Sequence, residues 1–294
     1  MAHVVWSQWD DLVVPEGFTR LSPSNCDLES ADLSQITFYV PEYMSGRQGL
    51  IYSESMPNLQ ILQMPNAGYD DALEFVRPGM TLCNARGVHD ASTAELAVGL
   101  AIAVRRGFYD FVRAQDTGEW LHRRYASLND SKIAIVGYGS IGQTLAKYLS
   151  VYDVDITGYS RSGSDGASKI SELDDQLSTF DIVFLVLPLN DESRNMFDAK
   201  RLAKMKDGSL LINVARGPIV NTEALLAELN AKRIFAGLDV TDPEPLPSDH
   251  LLWKAPNCII APHVGGDSTA FESRGKKLVE NQLARIVSGA GLKN

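Results

Sequence analysis

The sequence predicts an α/β protein of two domains, each built around a parallel β-sheet. The chain has 294 residues, close to twice the ~150 residues of an average domain. Short runs of β-branched and apolar residues alternate along it with helix-compatible segments, an order that is typical of parallel α/β folds. From residue 132 onward the strand runs are continuously apolar, as expected for strands that helices cover on both faces.

The first domain has four predicted strands, at residues 3–6, 36–40, 59–64 and 80–84. A helix rich in Ala, Leu and Val follows at 94–107, with Ser92 or Thr93 as its N-cap. An amphipathic helix at 268–288 has no following strand to cover, so we expect it to pack back on the first domain. The predicted domain bounds are residues 1–97 with 270–294 for the first domain and 98–269 for the second.

The second domain has six predicted strands, at residues 132–136, 155–159, 182–187, 209–214, 234–238 and 258–261. Six parallel strands of this kind make one complete doubly wound sheet of the type that binds a dinucleotide. The prediction for this domain is therefore a dinucleotide-binding fold.

A GxGxxG turn follows the first of these strands and opens a predicted helix at 143–149. Gly137 allows the tight turn, Gly139 lets a pyrophosphate approach the backbone, and Gly142 lets the helix pack closely on the strand. Ser140 and Ile141 lie in the same turn, where a helix N-terminus supplies amides and partial positive charge. This context favours a cofactor site over an ordinary glycine turn.

The end of the second strand of this domain indicates which dinucleotide is bound. A site for NAD carries Asp or Glu there to bind the ribose 2′-hydroxyl, but this chain has Ser160, Arg161 and Ser162. The serine removes a carboxylate that would repel a 2′-phosphate, and Arg161 supplies a guanidinium that can pair with it. We expect NADP(H) to be preferred, with NAD(H) possible. A solvated loop arginine is the alternative.

Three residues that follow later strands are candidates for catalysis. Arg216 comes after a strand with no acid nearby and is either an exposed arginine or a clamp for a carboxylate, which its spacing favours. Glu244 lies in a proline-rich and therefore stiff loop, and His263 follows the last strand. Because ligands bind at the carboxyl ends of strands in a doubly wound sheet, we expect a Glu–His pair there.

This set of residues suits the reduction of a 2-keto acid by a nicotinamide. Hydride addition to a carbonyl carbon leaves an alkoxide, to which a protonated imidazole can donate a proton. A carboxylate beside the imidazole favours its charged form. A guanidinium can bind the substrate carboxylate and orient the carbonyl. The expected roles are acid/base for His263, support for Glu244 and substrate clamp for Arg216.

The order and spacing of these segments resemble those of the D-isomer-specific 2-hydroxyacid dehydrogenase family, from about residue 59 to residue 269. The Ser-Arg-Ser loop is most similar to that of the NADPH-dependent glyoxylate/hydroxypyruvate reductases. The resemblance implies a Rossmann-type domain, a smaller flavodoxin-like substrate domain and a homodimer. It also implies reduction of a small 2-keto acid, such as glyoxylate or hydroxypyruvate, to the D-2-hydroxy acid.

The resemblance assigns further site residues. It implies that Asp239 contacts the nicotinamide carboxamide. Five other residues would line the cofactor cleft: Leu187, Pro188, Val214, Ala215 and Gly265. In the first domain, Ala67 and Gly68 would lie in a loop whose amides hold the substrate carboxylate, with a plain strand-end turn as the alternative. Arg86 and His89 are not demanded by the family pattern and could tune the substrate pocket or lie on the surface.

Other functions of the same fold stay open at this point. A formate dehydrogenase would need a Gln–His pair, and Glu244 argues against it. A phosphoglycerate dehydrogenase-like enzyme is a second possibility. A nucleotide-sensing, corepressor-like module is a third, although the absence of a long polar tail or basic patch favours an enzyme.

Composition and charge limit the binding partners and the cellular location that the protein can have. The 27 Lys and Arg against 37 Asp and Glu give a net charge of -10, which would repel nucleic acid and anionic membrane surfaces. The widely spaced Cys26, Cys83 and Cys258 encode neither a disulfide framework nor a zinc site. The N-terminus does not resemble a secretory signal, and no apolar run approaches the ~18 residues of a membrane span. We therefore expect a cytoplasmic, metal-free enzyme.

Overall fold

The computed structural model describes residues 3–293 and contains two compact units. Among the described residues, the first unit comprises 3–89 and 269–293, and the second comprises 90–268. Met1, Ala2 and Asn294, which the sequence analysis assigned to the first domain, lie outside the described residues.

The first unit contains a five-stranded sheet in which all neighbouring strands are parallel. Its strands are β1 (Val4–Trp6), β2 (Thr19–Leu21), β3 (Phe38–Tyr39), β4 (Ile61–Gln63) and β5 (Thr81–Cys83). The order across the sheet is β2-β1-β3-β4-β5, which is the flavodoxin-like order. This confirms the fold predicted for the smaller domain.

Helices cover both faces of this first sheet. They include α1 (Gly46–Ile51) and the C-terminal helix (Phe271–Val287). On β1, Trp6 belongs to the core on one face and its neighbour Val5 to the core on the other, as the alternation of side chains along a strand requires. The C-terminal helix buries Phe271, Val279 and Leu283 in the core that contains Val5.

The second unit contains a seven-stranded sheet, again with all strands parallel. Its strands are β6 (Lys132–Val136), β7 (Asp155–Ser160), β8 (Ser168–Lys169), β9 (Ile182–Leu185), β10 (Leu210–Asn213), β11 (Phe235–Leu238) and β12 (Cys258–Ile260). The order is β12-β11-β10-β9-β6-β7-β8. Counted from β6, this is the 3-2-1-4-5-6 order of the Rossmann fold with one more strand added.

The sequence analysis expected six strands in this sheet, and the structure has seven. The missed strand, β8, has two residues and lies at the edge of the sheet. The strand missed in the first unit, β2, is also a short edge strand, and most of it is exposed. Neither segment has the apolar run that predicts a buried strand, so both escaped detection for the same reason.

The helices of the second unit are α2 (Asp90–Arg105), α3 (Phe108–Thr117), α4 (Ser140–Leu149), α5 (Leu173–Gln176), α6 (Ala199–Lys204) and α7 (Thr222–Asn230). Helix α2 buries Ala94, Ala97 and Ala101 in one core with Ile133 and Ile135 of β6. Their spacing of three and four residues places them on one face of the helix. No helix in the described part of the chain is long and apolar enough to cross a membrane.

The N-terminal end of α2 differs from the prediction. The helix begins at Asp90, so the prediction that Ser92 or Thr93 caps it is wrong, because both lie in its first turn. Residues 90–97 were expected in the first domain. They pack with the second unit because they belong to one uninterrupted helix that lies on its sheet.

Candidate active site

The predicted site residues of the second unit lie at one edge of its sheet. Because all seven strands run in the same direction, their carboxyl ends share an edge, which we call the carboxyl edge. After β6 the chain continues to β7 on one side of the sheet centre, and after β9 it continues to β10 on the other side. At such a switch point a doubly wound sheet leaves a crevice for a ligand.

The glycine turn after β6 has the geometry that a dinucleotide needs. Gly137 has a φ of +105°, and a Cβ on Gly142 would collide with the carbonyl oxygen of Gly137. Neither position therefore accepts a larger residue. A Cβ on Gly139 would meet none of the described atoms within 4 Å. This residue precedes α4, whose first amides, at Ser140 and Ile141, lack acceptors within the helix. The donor set and the open approach therefore fit a pyrophosphate.

Two cations flank the end of β7. Arg161 directly follows Ser160 and is exposed, and Lys169 of β8 pairs with Ser160 in the sheet. A Cβ on Gly163 would lie 2.9 Å from Cγ of Lys169, so the lysine side chain lies over this loop. Within residues 3–293, neither cation is paired with a carboxylate. Sequence reasoning missed Lys169 because β8 is too short to be recognised.

The two serines of this loop have hydroxyl groups near the same cations. Oγ of Ser160 accepts a hydrogen bond from the amide of Gly163 at 3.0 Å. Oγ of Ser162 lies 2.9 Å from Oγ of Ser164. Ser160 only accepts in its bond and so keeps its single O–H for an anion, whereas Ser162 donates to Ser164, whose own hydroxyl donates to Asp165.

His263 and Glu244 form a hydrogen-bonded pair beyond the ends of β12 and β11. Nδ1 of His263 lies 2.5 Å from Oε1 of Glu244, and 33% of the histidine and 38% of the glutamate side chain are exposed. The structure thus brings together the two side chains that the sequence analysis paired. Because Nδ1 is bound to the carboxylate, Nε2 is the nitrogen left for proton transfer.

Each member of the pair stabilises the charged form of the other. The hydrogen bond to Glu244 raises the pKa of His263 above its usual 6.5 and outweighs burial, which lowers it. Burial raises the pKa of Glu244, but the hydrogen bond and charge of His263 prevail and lower it. The Arg216 guanidinium lowers both pKa values. The pair is therefore imidazolium and carboxylate up to a pH above the ordinary titration of histidine.

Asp239 anchors the loop that carries His263. It follows β11 and is buried, and its carboxylate oxygens accept hydrogen bonds from the amides of Val264 at 2.8 Å and Gly265 at 2.9 Å. The amide of His263 donates to the Asp239 carbonyl oxygen at 2.7 Å. These bonds hold His263 at a φ of +55°, which residues other than glycine rarely adopt. Burial raises the pKa of Asp239 despite the two amide bonds.

Asn213, the last residue of β10, shapes the turn that presents Arg216. Its side-chain nitrogen donates to the Arg216 carbonyl oxygen at 3.0 Å, and its side-chain oxygen accepts from the Ala215 amide at 3.0 Å. A Cβ on Gly217 would collide with the backbone of Thr241. The turn that presents the arginine is therefore packed against the loop that carries the site glutamate.

Apolar residues follow β9 and β10 at the same edge. Leu187, Val214 and Ala215 are buried, and Pro188 is exposed. Oγ of the buried Ser193 donates to the Pro188 carbonyl oxygen at 2.8 Å, which fixes this part of the chain. The residues assigned to the cofactor cleft by the resemblance therefore lie in fixed segments beside the glycine turn.

The predicted substrate loop of the first unit follows β4. Ala67 and Gly68 are partly buried, and the carbonyl oxygen of Ala67 accepts a hydrogen bond from Nδ2 of Asn84 at 3.1 Å. Arg86 is exposed. His89 is 5% exposed, so of the two alternatives left open for it, a surface position is wrong.

The sequence analysis also expected no metal site. Among the residues that the structure describes, no three His, Cys, Asp or Glu side chains are grouped as a metal ion would need. Cys26, Cys83 and Cys258 are free thiols.

Fold and site together define a class of protein. A doubly wound parallel sheet with a glycine turn at a helix N-terminus is the framework that binds a dinucleotide. A histidine kept protonated by a carboxylate at the same edge can supply a proton to a reduced carbonyl. The class is that of nicotinamide-dependent oxidoreductases.

Comparisons with known proteins identify the family. The profile of the D-isomer specific 2-hydroxyacid dehydrogenase NAD binding domain matches residues 98–265. A glyoxylate reductase from Thermofilum pendens is 33% identical over 251 residues, which cover 80% of this chain and 74% of that protein. Glyoxylate/hydroxypyruvate reductase B from Citrobacter koseri is 30% identical over 284 residues, which cover 90% of this chain and 87% of that protein.

Solved structures agree with this assignment. A D-isomer specific 2-hydroxyacid dehydrogenase family protein from Aeromonas salmonicida has a TM-score of 0.86 and 26% identity, with 100% of this chain and 98% of that chain covered. The chain belongs to the D-isomer specific 2-hydroxyacid dehydrogenase family, as the resemblance predicted, and is therefore an oxidoreductase that uses a nicotinamide cofactor.

We expect the pKa of His263, measured by NMR titration of its ring signals, to lie above 6.5 and to fall in Glu244→Gln. The amide keeps an acceptor but removes the charge that stabilises the imidazolium. Glu223→Gln, at an exposed position on α7, is the matched control and should leave the pKa unchanged. An equal pKa in wild type and Glu244→Gln would contradict the pairing.

Proposed function

We propose that this protein reduces a small 2-keto acid of the glyoxylate or hydroxypyruvate kind to the D-2-hydroxy acid with NADPH. The observation that carries the proposal is the 2.5 Å His263–Glu244 pair at the edge that also holds the glycine turn and Arg216. The T. pendens and C. koseri relatives are named as a glyoxylate reductase and a glyoxylate/hydroxypyruvate reductase, which supports this substrate class.

His263 acts as the acid in this reaction. When bound, the reduced nicotinamide supplies the hydride that adds to the carbonyl carbon. The Nε2–H of His263 donates its proton to the carbonyl oxygen, which becomes the hydroxyl group of the product. The Nδ1–H stays bonded to Glu244, whose charge stabilises the imidazolium until the transfer occurs. In the reverse direction, neutral Nε2 accepts the proton.

Arg216 binds the substrate carboxylate and orients the carbonyl. A guanidinium matches a carboxylate with two parallel hydrogen bonds, and the Asn213 bonds hold the backbone that presents it. In the first unit, the backbone amides of Ala67 and Gly68 bind the same kind of group.

The carboxyl edge of the second unit holds the cofactor. Gly137, Gly139 and Gly142 give the pyrophosphate access to the amides of Ser140 and Ile141 at the start of α4. The cleft walls are formed by Leu187, Pro188, Val214 and Ala215. The oxygens of Asp239 each accept one backbone amide and keep further lone pairs for the nicotinamide carboxamide, beside Gly265.

The preference for NADPH rests on the cations at the end of β7. Arg161 and Lys169 provide two positive charges without carboxylate partners in the described chain, and Ser160 provides a hydroxyl donor beside the hydroxyl of Ser162. A phosphate forms charge-assisted hydrogen bonds with such groups. The ribose hydroxyl of NADH has no charge to offer them, so NADH is the poorer cofactor but can still bind.

The same proposal assigns a role to each part of the chain. The first unit forms the substrate-binding domain, and the second unit, residues 90–268, forms the dinucleotide-binding domain. The three free thiols are compatible with a reducing compartment, and we propose that the enzyme works in the cytoplasm.

We further propose that the enzyme is a homodimer formed through the second unit. Apolar side chains are exposed along α3 and just after it: 48% of Phe108, 61% of Val112 and 94% of Trp120. Phe108 and Val112 are four residues apart and so share one face of α3. Exposed apolar surface marks interaction sites, and a second copy of the chain offers the same surface in a two-fold contact.

Replacing His263 by Ala should lower turnover of glyoxylate with NADPH by roughly 10²–10⁴-fold, the usual contribution of a general acid. Cofactor binding, followed by NADPH fluorescence, should persist because the glycine turn is unchanged. His122→Ala, at an exposed histidine outside the site, should keep wild-type turnover. Near-normal activity of His263→Ala would refute the assigned role.

Replacing Ser160 by Asp together with Arg161 by Ala should shift the preference from NADPH toward NADH by roughly 10- to 100-fold in kcat/KM, since a charge-assisted bond is lost and a repulsive carboxylate is added. Lys169→Met should raise the KM for NADPH and leave that for NADH unchanged. Lys147→Met, at an exposed lysine of α4, should change neither. Unaltered NADPH kinetics in the double variant would exclude the proposed 2′-phosphate site.

Sedimentation equilibrium of the wild-type protein should give about twice the chain mass of 32.2 kDa. Val112→Glu should give a monomer at micromolar concentration, because dimerisation would bury its charge. Val151→Glu is the matched control, since Val151 is 82% exposed outside α3, and should remain dimeric. A wild-type monomer, or a dimer that survives Val112→Glu, would exclude this interface.

A further inference from the structure

Three successive carbonyl groups of the loop after β4 are bound by one segment of the chain, residues 84–89. The oxygen of Pro65 lies 2.7 Å from Nε2 of His89, the oxygen of Asn66 accepts from the Ala85 amide at 2.9 Å, and the oxygen of Ala67 accepts from Nδ2 of Asn84 at 3.1 Å. These bonds fix which way each peptide unit of the loop faces.

The direction of the carbonyl groups determines the direction of the amides. In a trans peptide unit the C=O and N–H bonds point to opposite sides. With the oxygens of Pro65, Asn66 and Ala67 facing residues 84–89, the N–H groups of Asn66, Ala67 and Gly68 face away from that segment. Among the described residues these three amides have no acceptor. Successive outward amides form a concave site for an anion.

His89 is built into this arrangement as a donor. A carbonyl oxygen only accepts, so Nε2 of His89 carries the hydrogen in the bond to Pro65. Its ring is 5% exposed and is stacked with Tyr43, at 5.3 Å and 12° between ring planes, and with Phe271, at 5.4 Å and 10°. The two rings fix the plane of the imidazole and hence the direction of its N–H bond.

We propose that His89 is a positioning residue. Its Nε2–H bond to the Pro65 carbonyl fixes the Pro65–Asn66 peptide unit and so holds the Asn66 amide, at the start of the loop that carries the amides of Ala67 and Gly68, toward the substrate carboxylate. The proposal rests on the proposed function, since it assumes that a 2-keto acid is the ligand of this loop. It gives His89, which the family pattern does not demand, a role in substrate affinity without contact with the substrate.

Two variants separate the hydrogen bond from the packing of the ring. His89→Phe keeps a flat ring against Tyr43 and Phe271 but loses the donor. His89→Gln loses the ring but keeps an N–H at a similar distance from the backbone. Since a hydrogen bond contributes only a modest net amount, we expect His89→Phe to raise the KM for glyoxylate by about 3- to 10-fold, with an unchanged Kd for NADPH. His89→Gln should stay within about twofold of wild type.

Three results would overturn the proposal. They are an unchanged KM in His89→Phe, an equal increase in both variants, and a loss of NADPH affinity that matches the loss of substrate affinity. The first would show that the bond has no effect, the second that only packing matters, and the third that the whole fold is damaged.

Amide hydrogen exchange measured by NMR tests the positioning without turnover. The Ala85 amide is protected by its bond to the Asn66 oxygen, so its exchange should accelerate in His89→Phe but not in His89→Gln. The Met64 amide, bonded to the Cys83 oxygen at 2.7 Å, is the internal control and should stay unchanged. If Ala85 exchanges equally in wild type and His89→Phe, the positioning role is excluded. If the wild type reduces no 2-keto acid but Ala85 responds as expected, the proposed function fails and the positioning stands.

Discussion

Because every strand of the second sheet runs the same way, segments that are far apart in sequence deliver their side chains to a single edge. Gly137 and His263 belong to the first and last loops at this edge and are separated by most of the unit. The parallel arrangement depends in turn on burial of both sheet faces. On β6, Ile133 and Ile135 belong to one core, and Ala134 and Val136 belong to the other. Neither face of this strand is therefore exposed to water. The apolar runs that maintain the fold therefore also assemble the site.

Buried polar side chains then fix the loops that the strands deliver. Asp239 and Asn213 are almost fully buried, and each uses its polar atoms to bind backbone of the loop that it supports. A buried polar group without a partner would be costly, so each of these side chains strongly favours one loop conformation. The result is a His263–Glu244 pair whose loops are fixed before any substrate binds, which is what the proposed proton transfer requires.

The sequence was informative where one residue type or one apolar pattern has a single structural meaning. Continuous apolar runs predicted the central strands, and the glycine turn and the Glu244–His263 pair followed from their positions at strand ends. Strands β2 and β8 were missed because short edge strands bury little and need no apolar run. Lys169 was missed with β8, since its position beside Ser160 exists only through strand pairing.

Anchoring contacts were also beyond the reach of the sequence. The bonds from Asp239 to Val264 and Gly265, and from His89 to Pro65, join a side chain to backbone atoms. Every residue offers a backbone carbonyl, and every residue except proline offers a backbone amide, so the partner leaves no trace in its side-chain type. The start of α2 was also predicted wrongly. Ser92 and Thr93 are good N-caps in isolation, yet in the structure the helix already begins at Asp90.

The charges at the carboxyl edge show why Glu244 is needed. The enzyme as proposed requires a cationic clamp and a cationic acid near each other, and Arg216 lowers the pKa of His263, which disfavours the protonated acid. The hydrogen bond and charge of Glu244 reverse this effect and raise the pKa of His263. The chain's net charge of -10 cannot do so from a distance, because surface charges more than about 8 Å away are screened at physiological salt. One carboxylate in contact therefore decides the protonation of His263, and it allows the clamp and the acid to carry positive charge together.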